Sequence, residues 1–161
     1  MALDTVEAAL QVARVIVVTD VPAGFIALGA AVLADAGAGL TAAIEAGLER
    51  AGTDIARAVL LGDHPALTPA ELLDALDAAT HARSLVTDAA GGGSAMTTAR
   101  SGVQHAPLFG PGSRAAHVTA GYVELEGDWP GLRADADPPV ELARLPRAGP
   151  RTTVWLAASR R

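Results

Sequence analysis

The chain has 161 residues, room for one domain around one hydrophobic core. Hydrophobic residues make up 50% of it and aromatics only 3%, so the core has to be built from Ala, Val and Leu, which favours helices on a parallel sheet over a sandwich or barrel. The absence of Cys excludes disulfides, thiolate metal sites and thiol nucleophiles, leaving oxygen ligands for any metal, and a net charge of −6 argues against a nucleic-acid partner.

Leu3, Val6, Leu10 and Ala13 fall at helical spacing, so the chain is expected to open with an amphipathic helix. Arg14 to Asp20 is a β-branched run ending in a turn-forming carboxylate and predicts a buried strand. A short helical stretch from Pro22 to Leu28 precedes a weaker strand, Ala31 to Asp35. Leu40, Ile44 and Leu48 mark one face of a following helix. Arg57 to Asp63 predicts a second buried strand. The next helix is well specified, because Thr68-Pro69-Ala70-Glu71 is a capping box with Pro at the first helical position and Leu72, Leu73 and Leu76 supply an apolar face. With a strand at Ser84 to Asp88, strands and helices alternate in the manner of an α/β protein. From Gly91 the pattern loosens into loops, a helix from Ser113 to about Ala120, a strand Tyr122 to Leu125 and a helix from Pro138 or Pro139 to Leu145. Residues from Arg151 onward are expected to form a solvated, partly ordered tail.

The opening residues lack the basic and apolar regions of a signal peptide, and the uncharged stretch from Val21 to Ala34 is interrupted by Pro22, Gly24 and Gly29. A cytoplasmic protein with no membrane partner is expected.

Four predicted strands end in Asp: Asp20, Asp35, Asp63 and Asp88. In an open parallel sheet the ligand crevice lies at the carboxyl ends of the strands, although Asp is equally a turn and cap residue, the plainer reading for Asp20, Asp35 and Asp88. Asp63 precedes His64-Pro65-Ala66-Leu67, where Pro65 stiffens the turn and aims the carboxylate into the crevice. Asp135 and Asp137 offer two more carboxylates just before a helix, and such groups suit Mg²⁺, which takes one or two protein carboxylates together with substrate phosphate oxygens. Phe109-Gly110-Pro111-Gly112-Ser113 suggests an anion cradle in which glycines let the backbone approach and Ser113 adds a hydroxyl and free N–H groups. His64, His81 and His105 show no metal-ligand spacing and read as surface or loop residues, while His117 could reach the cradle or simply pack. There is no Lys, hence no P-loop.

Taken in order, Val17-Val18-Thr19-Asp20, Gly37 to Ala43, Gly62 to Leu67, Asp88 to Ser94, Phe109 to Ser113, and Trp129-Pro130-Gly131-Leu132-Arg133 leading into Asp135-Ala136-Asp137 resemble the guanylyltransferases CofC/FbiD of deazaflavin coenzyme F(420) biosynthesis. The resemblance implies a single Rossmann-like, three-layer α/β/α domain over residues 1–161, similar to the nucleotide-diphospho-sugar transferases. It implies a cytoplasmic enzyme that joins GTP to phosphoenolpyruvate or 2-phospho-L-lactate with release of diphosphate. Carried over, Asp63, Asp135 and Asp137 match the family's catalytic Mg²⁺ ligands, and Ser94, Gly110 and Ser113 match its site for the phosphorylated acid. His64 stands where the family usually has Leu. The chain starts at the family's first full helix, without the preceding strand and basic nucleotide-contacting loop, so weak GTP binding, little transfer and self-association through open strand edges are the expectation for this shortened form. A nucleotidyltransferase with another phosphorylated acceptor, or a binding domain without catalysis, are the rival readings.

Overall fold

The computed structural model describes residues 1–135 and 148–153. Asp137 and the helix expected from Pro138 or Pro139 to Leu145 therefore lie outside the described residues. In chain order the elements are α1 (Ala2–Leu10), β1 (Ile16–Thr19), α2 (Ala23–Leu28), β2 (Ala31–Ala34), α3 (Leu40–Ala51), β3 (Arg57–Leu60), α4 (Pro69–Ala78), β4 (Arg83–Thr87), β5 (Ser94–Ala99), α5 (Ser113–Thr119), β6 (Val123–Glu124) and α6 (Pro130–Arg133). This is the expected α/β class, with several differences in sheet make-up, burial and the course of the chain after residue 148.

The strands form two sheets, and the larger one is mixed. β1 and β2 pair in parallel as a two-stranded ribbon, separate from a four-stranded sheet in the order β3-β5-β4-β6. In the larger sheet β5 runs antiparallel to both β3 and β4, and β6 runs parallel to β4. β3, β4 and β6 therefore point the same way and present their carboxyl ends at one edge. β5, which the sequence reads as loop, is the most buried strand, with all six residues inside. The strands expected to be buried at β1 and β3 are mostly only half-buried, because each pairs on one side alone among the described residues. α3 packs against both β1 and β3 and buries no residue fully.

The core lies on one face of the larger sheet. Ala8 of α1, Leu72 and Ala75 of α4 and Leu132 of α6 pack there against Val86 of β4 and Met96 of β5, with Trp129 fully enclosed. The capping box at α4 forms as expected: Thr68 Oγ1 accepts from the Glu71 N–H at 3.2 Å, and Glu71 accepts in return from the Thr68 N–H at 3.0 Å. Leu73 points to solvent, 51% exposed, and Ala75 takes the inward position instead.

Of the tail expected from Arg151 onward only residues 151–153 are described, and of these Thr152 is buried, not solvated as expected. Residues 150–153 form a helical turn docked on α1, where the buried Asp4 carboxylate accepts from the N–H and hydroxyl of Thr152, at 2.8 and 2.6 Å, and from the N–H of Arg151. Those hydrogen bonds hold the Asp4 carboxyl below its ordinary range, against the upward push of burial. Among the described residues no helix is long and apolar enough to cross a membrane.

Candidate functional site

The carboxyl edge of the larger sheet gathers most of the residues of interest. β3 ends at Leu60 and leads through Gly62 to Asp63, whose loop is held when Thr5 donates its hydroxyl to the Gly62 carbonyl at 3.2 Å. His64 turns inward and is 1% exposed, not at the surface as its sequence context suggests. Its Nε2 lies 3.4 Å from Asp63 Oδ1, yet neither ring nitrogen nor that carboxylate oxygen makes a hydrogen bond within the described residues. Burial drives the imidazole toward its neutral form, opposed by the negative charges of Asp63 and Asp135.

β4 ends at Thr87, and the turn to β5 is built on Asp88: its N–H donates to the Gly93 carbonyl at 3.2 Å and its Oδ1 accepts from the Gly92 N–H at 3.1 Å. Asp88 is thus the turn residue its sequence suggested. Gly93 is required there, since a Cβ would come within 2.2 Å of Asp88 Oδ2. The strand register shifts between Val86 and Thr87, a bulge that lets Ala95 and Met96 both join the core. Ser94 is thereby turned to the opposite face, toward α5.

There Ser94 meets the loop and helix that the sequence marked as a cradle. The Ser94 N–H donates to Ser113 Oγ at 2.9 Å, and Ser94 Oγ lies 2.8 Å from His117 Nδ1. Gly110 and Gly112 adopt φ of 139° and 72°, the left-handed region that favours Gly and that lets the loop fold back on itself. The Ser113 N–H is not free as expected: it donates to the Gly110 carbonyl at 3.0 Å. The cradle's donors are therefore hydroxyls rather than this amide.

Arg133 brings the last acidic residue to the same edge. α6 is pinned through Gly131, whose N–H donates to Glu71 Oε1 at 2.7 Å, and Trp129, whose indole donates to Asp74 Oδ2 at 2.6 Å. A Cβ at Gly131 would meet the Ala66 carbonyl at 2.3 Å. The Arg133 guanidinium, over the Trp129 ring, donates to the Thr87 carbonyl at 2.8 Å, and the Arg133 carbonyl accepts from the Ala89 N–H at 2.9 Å. Asp135, two residues on, consequently stands beside the end of β4. Burial raises its carboxyl above the usual range, and the charges of Asp88 and Asp63 raise it further.

These observations fit a hard cation. Among the described residues Asp63 has a buried carboxylate oxygen without a hydrogen-bond partner, and the Asp135 carboxylate is repelled by Asp88 and Asp63, a cost that a divalent ion would relieve. Among the described residues no group of three or more His, Asp or Glu side chains is close enough to hold a metal ion by itself, so any cation here would rest on one or two carboxylates and on substrate oxygens. An open arrangement is what Mg²⁺ uses when substrate phosphates complete its shell.

Comparison with known proteins identifies the relatives. No family profile matches the chain. It is 43% identical to the phosphoenolpyruvate guanylyltransferase of Salinispora arenicola over 166 residues, covering 96% of this chain and 77% of that protein. The identity to the phosphoenolpyruvate guanylyltransferase of Mycolicibacterium gilvum is 42%, over 99% of this chain and 81% of the relative. The protein of that name from Sanguibacter keddieii is 51% identical over 72% of this chain, a match that spans 45% of the relative's length. The chain belongs to the phosphoenolpyruvate guanylyltransferase family.

Against that family assignment, the structure brings together Asp63, Asp135, Ser94, Gly110 and Ser113, all of them residues that the sequence reading singled out, around one end of the sheet and the loop beside it. It adds Asp88, whose sequence context marks a turn former, and His117, whose sequence context suits packing as well as a reach to the cradle. Asp137 lies outside the described residues.

Proposed function

We propose that this phosphoenolpyruvate guanylyltransferase family member transfers the guanylyl group of GTP to phosphoenolpyruvate, releasing diphosphate, as a step toward coenzyme F(420). The observation that carries the reading is a pair of buried hydroxyls, Ser94 and Ser113, next to the Asp63, Asp88 and Asp135 cluster at the carboxyl edge of the sheet. An anion-donor pocket beside a cation site suits a phosphorylated acid meeting a nucleotide triphosphate. The Rossmann-like layering, with α1, α4 and α6 on one face of the larger sheet and α5 on the other, supports a nucleotide-diphospho-sugar transferase-like domain.

Ser94 and Ser113, with the backbone bend at Gly110, hold the phosphorylated acid so that one phosphate oxygen faces the α-phosphorus of GTP. That oxygen forms the new P–O bond while the bond from the α-phosphorus to the bridging oxygen of the β-phosphate breaks, and diphosphate leaves with the electron pair. Mg²⁺, held by Asp63 and Asp135 with Asp137 as a further carboxylate, would neutralise the triphosphate and the departing diphosphate. A phosphate monoester dianion needs no deprotonation to attack, so no protein base is called for. Orientation of two anions in one crevice is the residues' main contribution.

The test is incubation of the protein with Mg²⁺, each of GTP, ATP and CTP, and each of phosphoenolpyruvate, 2-phospho-L-lactate and 3-phosphoglycerate, with products resolved by mass spectrometry. The expected result is a guanosine diphosphodiester of phosphoenolpyruvate together with equimolar diphosphate, formed at a low rate from weakly bound GTP. Binding of GTP and phosphoenolpyruvate without any such product would refute the proposal.

A further inference from the structure

We infer that His117 is a positioning residue that fixes Ser94 as a hydrogen-bond donor to the phosphorylated acid. The inference rests on the acid site proposed above. His117 is fully buried, with Phe109 and Tyr122 packed edge-on against its ring at centroid distances of 5.4 and 5.0 Å. Both ring nitrogens are engaged. The Leu108 backbone N–H points at Nε2 across 2.6 Å, and an amide can only donate, so Nε2 must be the nitrogen with the lone pair. In a neutral imidazole the proton is then on Nδ1. Burial lowers the ring's proton affinity, which keeps it neutral.

The assignment propagates outward. Nδ1–H donates to Ser94 Oγ across 2.8 Å, filling an acceptor position of that hydroxyl and turning its own proton away from the ring. Ser113 Oγ is occupied in the same sense, because it accepts from the Ser94 N–H at 2.9 Å. Ser94 is 7% exposed and Ser113 3%, and neither hydroxyl donates to any protein acceptor among the described residues. Two buried O–H groups with acceptor sides filled and donor sides empty are costly unless something accepts from them. A phosphate or carboxylate anion is the acceptor that matches both. With the opposite tautomer Ser94 would spend its proton on Nδ1 and present a lone pair to the anion.

The test combines ¹⁵N-histidine NMR of the ligand-free protein with two variants. The His117 resonances are expected to show Nδ1 protonated and Nε2 bare, a signature that packing alone does not require. His117→Asn keeps a donor near the Nδ1 position and gives up the Leu108 partner; His117→Gln can accept from Leu108 and gives up the donor to Ser94. The Asn variant is expected to bind phosphoenolpyruvate within about threefold of the parent and the Gln variant about tenfold more weakly, the difference vanishing in a Ser94→Ala background, with GTP affinity unchanged. An Nε2–H tautomer, or affinities that follow thermal stability instead of the donor, would overturn the role of His117 while leaving the acid site standing. If the parent protein fails to bind phosphoenolpyruvate at all, the acid site itself falls, and this role with it.

Discussion

Arg133 and Thr87 are joined by a hydrogen bond from the guanidinium Nη1 to the Thr87 carbonyl at 2.8 Å, and this contact decides where the acidic residue after α6 can stand. The same side chain also reaches the carbonyls of Leu125 and Gly127, at 3.3 and 3.4 Å. Arg133→Met keeps the stem over Trp129 but removes every donor. Stability should fall by about 1–2 kcal/mol and Mg²⁺ affinity by about tenfold, because Asp135 loses its anchor. Arg133→Lys should not restore it, since one ammonium cannot span three carbonyls. Calorimetric titration with Mg²⁺ checks this, and an unchanged affinity would separate Asp135 from the Arg133 anchor.

Asp63→Asn should act oppositely on stability and on cation binding. Among the described residues the buried Oδ1 has no hydrogen-bond partner, so neutralising the side chain should leave the metal-free protein as stable or about 1 kcal/mol more so. Mg²⁺ binding and guanylyl transfer should be nearly lost. Parallel chemical denaturation and Mg²⁺ titration provide the check; a variant that loses stability yet keeps its cation would place Asp63 outside the metal site.

Ser113→Ala removes one hydroxyl donor and also leaves the Ser94 N–H without its acceptor. Phosphoenolpyruvate affinity should drop by about 1–2 kcal/mol while GTP affinity changes little. Loss of GTP affinity alone would assign this loop to the nucleotide.

Acid sensitivity should come largely from the histidines. Burial, with the neighbouring charges of Arg57 and Arg83, pushes His105 down to about 4. In the unfolded chain it titrates near 6.5. Between those values the unfolded state takes a proton that the folded state refuses, so stability complete above about pH 6.5 is lost as pH falls toward 4, by up to about 3 kcal/mol. His64 and His117 are lowered as well and act in the same direction. Denaturation midpoints at pH 7.5 and 4.5 should differ less in His105→Gln than in the parent. Equal differences would exonerate His105.

What could be read directly from the sequence was local. The Thr68 to Glu71 capping box, the Asp88 turn and the glycines of the Phe109 to Ser113 loop depend on residues a few positions apart, and the structure contains each of them. What was missed depends on partners distant in the chain. β5 reads as loop because Ser94-Ala95-Met96-Thr97-Thr98-Ala99 has no apolar alternation; its hydroxyls are accommodated inside through His105 and His117. The same pairing explains why His105 and His117 are buried. The docking of residues 150–153 turns on Asp4, which looks like an ordinary polar residue of an amphipathic helix until Thr152 arrives. The mixed sheet follows from β5, since without that strand the alternation of elements reads as all-parallel.

The most direct test of the central claim, that the carboxylate cluster and the hydroxyl pair form one site, is ³¹P relaxation of phosphoenolpyruvate with Mn²⁺ in place of Mg²⁺. If Asp63 and Asp135 hold the cation beside the acid bound at Ser94 and Ser113, the phosphorus signal should broaden strongly with the parent protein and return to its diamagnetic width with Asp63→Asn. Phosphoenolpyruvate that binds without relaxation enhancement, while Mn²⁺ is also bound, would show that the two halves are separate sites and would contradict the account.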